Sequence, residues 1–161
     1  PLVERRGTVM QLDTKHFGVI NFTEDDIITF EEGLPGFAWE TQFVLLSDGQ
    51  NELFFWMQSA ANVDLAFVLI NVKKVLPYYD PKVESEMLED LGTPLSYYNI
   101  AVVPEDLSKL RVNLKAPIVI NKKTRKGRQV VASNEEYGVR HYIFEELSQN
   151  NNISVDNGTG R

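Results

Sequence analysis

Apolar side chains in this chain come in short runs, and each run is soon cut by Gly, Pro, Asn, Asp or charged residues. The runs are Phe17–Phe22, Ile27–Phe30, Phe43–Leu46, Leu53–Gln58, Leu65–Val72, Asn99–Val103, Lys109–Leu114, Pro117–Asn121 and Gln129–Ser133. They are rich in β-branched and aromatic residues and too short for most helices. Strands this short, repeating roughly every 8–12 residues, predict a barrel or sandwich. Leu65–Val72 is apolar throughout, as a strand covered on both faces must be. The acidic turn Thr23-Glu24-Asp25-Asp26 separates the first two runs and suits a hairpin. Ser47-Asp48-Gly49-Gln50-Asn51 is a second turn cluster.

One helical pattern interrupts the strands. Asp80 is placed to cap it, and Pro81 sits where a missing N–H costs nothing. Val83, Met87, Leu88 and Leu91 recur at helical spacing, and Gly92 is a stop signal. The opposite face carries Glu84, Glu86, Glu89 and Asp90. The expected fold is therefore mostly β: a small antiparallel β-barrel-like domain with one short amphipathic helix packed on it. Residues 1–9 show no period and read as an N-terminal extension or a non-native remnant. Residues 10–147 form the domain. Residues 148–161 are polar, with Ile153 and Val155 as their only large apolar side chains, and are expected to fray.

Charge is distributed unevenly. The 161 residues carry a net charge of −7. Residues 1–110 hold 18 acids and 7 bases, whereas residues 111–161 hold 5 acids and 9 bases. Five of those bases are Lys122, Lys123, Arg125, Lys126 and Arg128. An acidic body repels phosphate backbones, which disfavours general nucleic-acid binding. The basic stretch is either a solvated hairpin tip or a contact for an acidic partner patch. No apolar run approaches the about 20 residues of a membrane helix, and no signal-like start is present. A cytoplasmic protein is expected.

Catalytic chemistry finds little to work with. There is no cysteine, hence no thiolate nucleophile and no Cys-type zinc site. The nucleophile elbow, the phosphate-binding glycine loops and H-E-x-x-H are all missing. His16 and His141 stand beside Lys15 and Arg140, which disfavours a metal cation. The expectation is a non-enzymatic chain with no cofactor and no metal. Aromatic residues offer another lead. Tyr78-Tyr79 and Tyr97-Tyr98 cannot both point inward if their segments are extended, and exposed Tyr and Trp anchor protein interfaces.

Several short motifs read as turns. Gly33, Pro35 and Gly36 are expected to set a turn whose backbone favours Gly, with Leu34 and Phe37 as core plugs. Asn113 and Asn121 bracket a Pro-containing turn, where Asn amides bond neighbouring backbone. Pro117 lacks an N–H, so its strand begins there or lies at a sheet edge. An open edge would accept a strand from a partner. The candidate partner-binding residues are accordingly Asn113, Pro117, Asn121, Lys122, Lys123, Arg125, Lys126, Arg128, Gln129 and Tyr137.

Thr14-Lys15-His16-Phe17-Gly18 and Ile28-Thr29-Phe30-Glu31-Glu32-Gly33-Leu34-Pro35-Gly36-Phe37 resemble the opening of the flagellar assembly factor FliW family. Met57-Gln58-Ser59, Ala66-Phe67, Val112-Asn113-Leu114-Lys115-Ala116-Pro117-Ile118-Val119-Ile120-Asn121 and Gly127-Arg128-Gln129-Val130-Val131 continue it in the family's order. Met57 stands where the pattern favours Leu. The resemblance implies a small, mostly antiparallel β-barrel-like fold and a non-enzymatic regulator. It implies two protein partners: flagellin and, once flagellin is exported, the RNA-binding translational repressor CsrA. Direct nucleic-acid and membrane contact are not expected. An acidic body docked beside the repressor's basic RNA-binding surface would repel phosphate, with Glu84, Glu86, Glu89, Asp90, Glu24, Asp25 and Asp26 as the acids concerned. The competing reading is a small barrel that binds single-stranded nucleic acid through its aromatics and basic stretch.

Overall fold

The computed structural model describes residues 8–47, 49 and 52–149. Eleven strands run through them: β1 (Met10–Thr14), β2 (Gly18–Phe22), β3 (Ile27–Thr29), β4 (Gln42–Ser47), β5 (Phe54–Ser59), β6 (Ala66–Ile70), β7 (Ser96–Val102), β8 (Arg111–Val112), β9 (Ile118–Asn121), β10 (Lys126–Gln129) and β11 (His141–Tyr142). The short helix α1 spans Phe144–Gln149. Seven strands close a barrel in the order β7, β6, β5, β4, β3, β10, β9 and back to β7. All barrel pairs are antiparallel except β3–β10, which is parallel and meets only at Lys126 and Thr29. β8 and β11 extend the sheet beyond β7. β1 and β2 form a separate hairpin.

Strand alternation sorts the side chains into an inner and an outer core. Ile28, Phe43, Phe55, Met57, Leu69, Tyr98, Ile118 and Ile120 form one buried cluster, to which six of the seven barrel strands contribute. The seventh, β10, contributes Gly127, where an added Cβ would lie 2.6 Å from the Phe30 ring. Phe30 is fully buried, and burying a Phe side chain stabilises the fold by roughly 1.5–3 kcal/mol. Neighbouring residues of β6 and β7 face the other way. Ile70 and Ala101 pack outside the barrel against Val72, Leu76, Tyr79, Leu110, Ile143 and the α1 residue Leu147. Asn99 lies in this layer and is 1% exposed. Its amide donates to Tyr79 Oη (3.0 Å) and to the Asn113 carbonyl (2.8 Å). Tyr79 in turn donates to the Leu114 carbonyl at 2.7 Å. Burial pushes the Tyr79 phenol up to about 12.

The Gly33–Phe37 turn forms as expected, although Phe37 is not a full core plug. Phe37 N–H donates to Leu34 O at 2.7 Å, and Gly36 has φ +83, which is the type II arrangement with Pro at the second position and Gly at the third. Gly33 has φ +66, and a Cβ there would strike the Ala38 backbone at 2.4 Å. Leu34 is buried, and Phe37 is half-buried against Phe67.

Three expectations are corrected. The 80–92 segment is not an α-helix. It makes two 3₁₀ turns, Ser85–Met87 and Glu89–Leu91, after an extended stretch. The Lys82 N–H donates to Asn134 Oδ1, and the Ser133 N–H donates to Lys82 O. The backbone that would start the helix is therefore committed to another strand's exit. Leu91 and Leu88 still pack inward, on Val119 and Val130, while Met87 is exposed. The fold's short helix is α1 instead. Phe17–Phe22 does not pair with Ile27–Phe30, because β2 turns back on β1, and β3 lies between β4 and β10. The expected last barrel strand, Gln129–Ser133, is displaced to Lys126–Gln129. Of the two readings of Pro117 the first holds: β9 begins directly after it, and β7 and β10 flank that strand. Of the two expected termini, 1–7 and 150–161 lie outside the described residues.

Replacing Gly127 by Ala should overpack the barrel and cost about 1–3 kcal/mol, read as a lower urea midpoint at unchanged slope. Adding Phe30→Leu to that variant should recover part of the loss. An unshifted midpoint for Gly127→Ala would show that Phe30 does not need the space.

Candidate functional site

The β9–β10 hairpin carries most of the basic stretch, and Asn121 builds its turn. Asn121 is fully buried. Its Oδ1 accepts the N–H groups of Lys123 and Thr124 at 2.9 and 3.1 Å, and its Nδ2 donates to Leu91 O at 2.7 Å. Arg125 then takes φ +61, a left-handed conformation uncommon for residues other than Gly. This lets its carbonyl accept the Thr29 N–H at 2.9 Å, while its Nη2 donates to Asp26 O at 2.8 Å. The Lys122 ammonium lies 5.5 and 5.9 Å from the ring centres of Tyr98 and Phe55 at the barrel mouth, a cation–π geometry. Lys122, Lys123 and Lys126 are exposed.

The acids flank this hairpin on two sides. Glu24, Asp25 and Asp26 form an exposed 3₁₀ turn whose end meets Arg125. On the other side Arg128 grips the 85–91 turns. Its Nη1 donates to Asp90 Oδ1 (2.8 Å) and to Met87 O (2.7 Å), and its Nη2 donates to Asp90 Oδ2 (2.8 Å). Fork-on-carboxylate pairing of this kind is the stronger class of ion pair. The hydrogen bond from Arg128 holds the Asp90 carboxyl down at about 2. Arg128 is raised above its ordinary value, first by that bond and also by the fields of Glu32 and Glu31. Glu84, Glu86 and Glu89 remain exposed. The acidic and basic parts of the sequence thus interleave in space.

The remaining candidates shape the scaffold. Asn113 Oδ1 accepts the N–H groups of Lys115 and Ala116, both at 3.0 Å. Gln129 donates to Ala116 O at 3.0 Å. Pro117 is buried, and its carbonyl accepts the Val130 N–H. Tyr137 is buried; its hydroxyl accepts the Asp80 N–H at 2.8 Å. Sequence reasoning missed Glu31 and Glu32 as neighbours of Arg128, although both stand inside the recognised turn motif. It missed Asn99 too, a polar residue in an apolar strand and therefore a readable signal. Tyr78 is 63% exposed while Tyr79 is 2% exposed, so the adjacent tyrosines do split between surface and core. Trp56 is half-buried under Phe17 of the β1–β2 hairpin, whereas Trp39 is 74% exposed.

No group of three His, Cys, Asp or Glu side chains is placed to hold a metal ion among the described residues. No helix among them is long and apolar enough to cross a membrane. Fold and site together define a small closed β-barrel domain whose Asn113 and Asn121 side chains build turns and whose charged banks face outward. The FliW protein family model matches residues 11–143. A flagellar assembly factor FliW of Thermoanaerobacter pseudethanolicus is 41% identical over 143 residues, covering 86% of this chain and 95% of the relative. Another, from Alkaliphilus metalliredigens, is 38% identical over 145 residues, covering 87% and 90%. A crystal structure of a flagellar assembly factor FliW superposes with a TM-score of 0.77 at 37% identity, covering 84% of this chain and 97% of that one. The chain belongs to the FliW family. It is a non-enzymatic regulator, and the family places it in flagellar assembly.

The Asp90 shift fixes the sign of a pH effect. A carboxyl lowered by folding stabilises the folded state above its ordinary value of 3.8 and loses that contribution as the pH falls toward about 2. Wild type should therefore be more stable than Asp90→Asn at pH 5–7, with the gap closing as the pH falls toward 2. Parallel chemical denaturation curves at pH 6, 4 and 2.5 measure it; a gap that widens in acid would contradict the Arg128 pairing.

Proposed function

We propose that this chain acts in the cytoplasm by switching between two protein partners. It binds flagellin and, when free of it, binds CsrA and relieves that repressor's hold on flagellin translation. Family membership supports the regulatory role, and the chemistry of the surface supports the mode of action. The observation that carries it is the exposed row Glu84, Glu86 and Glu89 beside Asp90, fixed to the barrel by Arg128. Glu24, Asp25 and Asp26 add a second acidic bank. Docked next to a basic RNA-binding surface, such banks repel phosphate over about one Debye length, roughly 8 Å at physiological salt. The base-reading site itself need not be occupied.

Direct partner contact falls to the exposed members of the candidate set: Lys122, Lys123 and Lys126, with the half-buried Arg125. Asn113, Pro117, Asn121, Arg128, Gln129 and Tyr137 hold that surface in shape. Single-stranded nucleic-acid binding is the weaker reading. The aromatic rings beneath Lys122 are Phe55 and Tyr98, 8% and 3% exposed, which leaves no open ring face at the basic tip for a base to stack on.

The triple reversal Glu84→Lys, Glu86→Lys, Glu89→Lys should leave the fold intact and weaken antagonism of CsrA–RNA binding by about tenfold at low salt. The loss should shrink as salt rises, as surface charge effects do. Competition gel shifts with CsrA and flagellin leader RNA read this out. Undiminished antagonism at every salt concentration would defeat electrostatic exclusion. Flagellin and CsrA pull-downs with the wild-type chain test the partner assignment itself.

A further inference from the structure

β10 is paired unequally on its two sides. It meets β9 at four residues, Lys126 to Gln129, but meets β3 only at Lys126. Past that point the β3 chain turns away, with the Gly33 N–H donating to Phe30 O. The Val130 and Ala132 N–H groups donate to Pro117 O and Lys115 O. By antiparallel alternation, the Gln129 and Val131 N–H groups then point to the opposite side. No backbone or side-chain acceptor meets either of them among the described residues. The next donor on that side, Ser133 N–H, is taken by Lys82 O. The free donors on this edge are thus two, Gln129 and Val131, just past the Gly127 N–H that the β3 pairing uses.

The surroundings of this edge are selective. A groove of about 220 Å³ separates it from the Leu34-Pro35-Gly36 turn, with Glu32, Gly33 and Gln129 also lining it. Glu31 and Glu32 stand on one bank, close enough to act on Arg128. A second acidic bank, the Met87–Asp90 segment, lies outside the groove lining and holds the Arg128 side chain, with Glu86 and Glu89 exposed. The Arg128 charge between the banks is already paired with Asp90. Val131, 67% exposed, adds an apolar contact at the end.

We propose that the outer edge of β10 docks an extended, basic segment of a partner protein, which adds to the barrel as a short extra strand. Main-chain hydrogen bonds to Gln129 and Val131 provide the attachment. The acidic banks choose lysine- or arginine-bearing segments over acidic ones. Strand addition of this kind reads the backbone for affinity and alternate side chains for selectivity. The inference deepens the partner-binding reading by giving it a second surface and a chemistry of recognition.

The probe is a capped ten-residue peptide of alternating lysine and valine, fluorescently labelled, titrated into the full chain and followed by anisotropy and backbone amide NMR. The expected result is saturable binding, with amide shifts gathered at 127–131 and 31–36. Val131→Pro removes one edge donor without touching the β9 ladder and should weaken binding at least tenfold. N-methylation of the peptide's alternate amides should do the same, and replacing its lysines by glutamates should abolish binding. Should Val131→Pro unfold the chain, the exposed double variant Glu31→Lys, Glu32→Lys and the methylated peptide decide the matter. Absence of binding, or binding indifferent to methylation, overturns the proposal. Neither flagellin nor CsrA enters the assay, so that failure leaves their assignment standing. A chain that takes the peptide but captures neither protein overturns the assignment and not the edge.

Discussion

The absence of a side chain at Gly127 is what allows the barrel to close. Six strands fill the interior with large apolar groups, and Phe30 projects from the end of β3 into the space left at β10. With that space occupied, β10 would be pushed off β3, and the single parallel pairing at Lys126 and Thr29 would go with it. Close packing makes such a contact unforgiving, since protein interiors have few voids to absorb a displaced ring. The turn before β10 serves the same closure. Asn121 sets the hairpin, Arg125 adopts its left-handed conformation, and the Arg125 carbonyl reaches the Thr29 N–H.

Closure also arranges the charge. Because β10 is drawn against β3, the basic hairpin is wedged between the acidic 24–26 turn and the acidic 85–91 turns. Arg125 and Arg128 become fasteners: Arg125 bonds the Asp26 carbonyl, and Arg128 pairs its charge with Asp90. The lysines at the tip and the glutamates on the banks stay exposed.

Local chemistry was legible along the chain. The Gly33–Phe37 turn, the Asn113 and Asn121 backbone bonds, the start of β9 after Pro117 and the split of the paired tyrosines each depend on a few adjacent residues, so short motifs encode them. The 80–92 segment has apolar spacing that fits a helix, yet its first N–H and C=O groups are taken by residues 133 and 134, some fifty positions away. β3 pairs with β4 and β10 rather than with β2 for a related reason. A short strand beside an acidic turn looks like half of a hairpin, but the energy that fixes its neighbours comes from burying Ile28 and Phe30 in a shared interior.

The order of residues along the chain dictates a turn-rich β domain without thiol chemistry, with FliW-type motifs and an excess of acid. These follow from composition, alternation and residues with narrow conformational tastes. Packing in three dimensions sets which strands adjoin, that opposite charges interleave rather than segregate, and that β10 meets β3 at one residue only. Those are outcomes of long-range packing. They depend on which distant side chains fill one enclosed volume, and no local pattern in the chain records that.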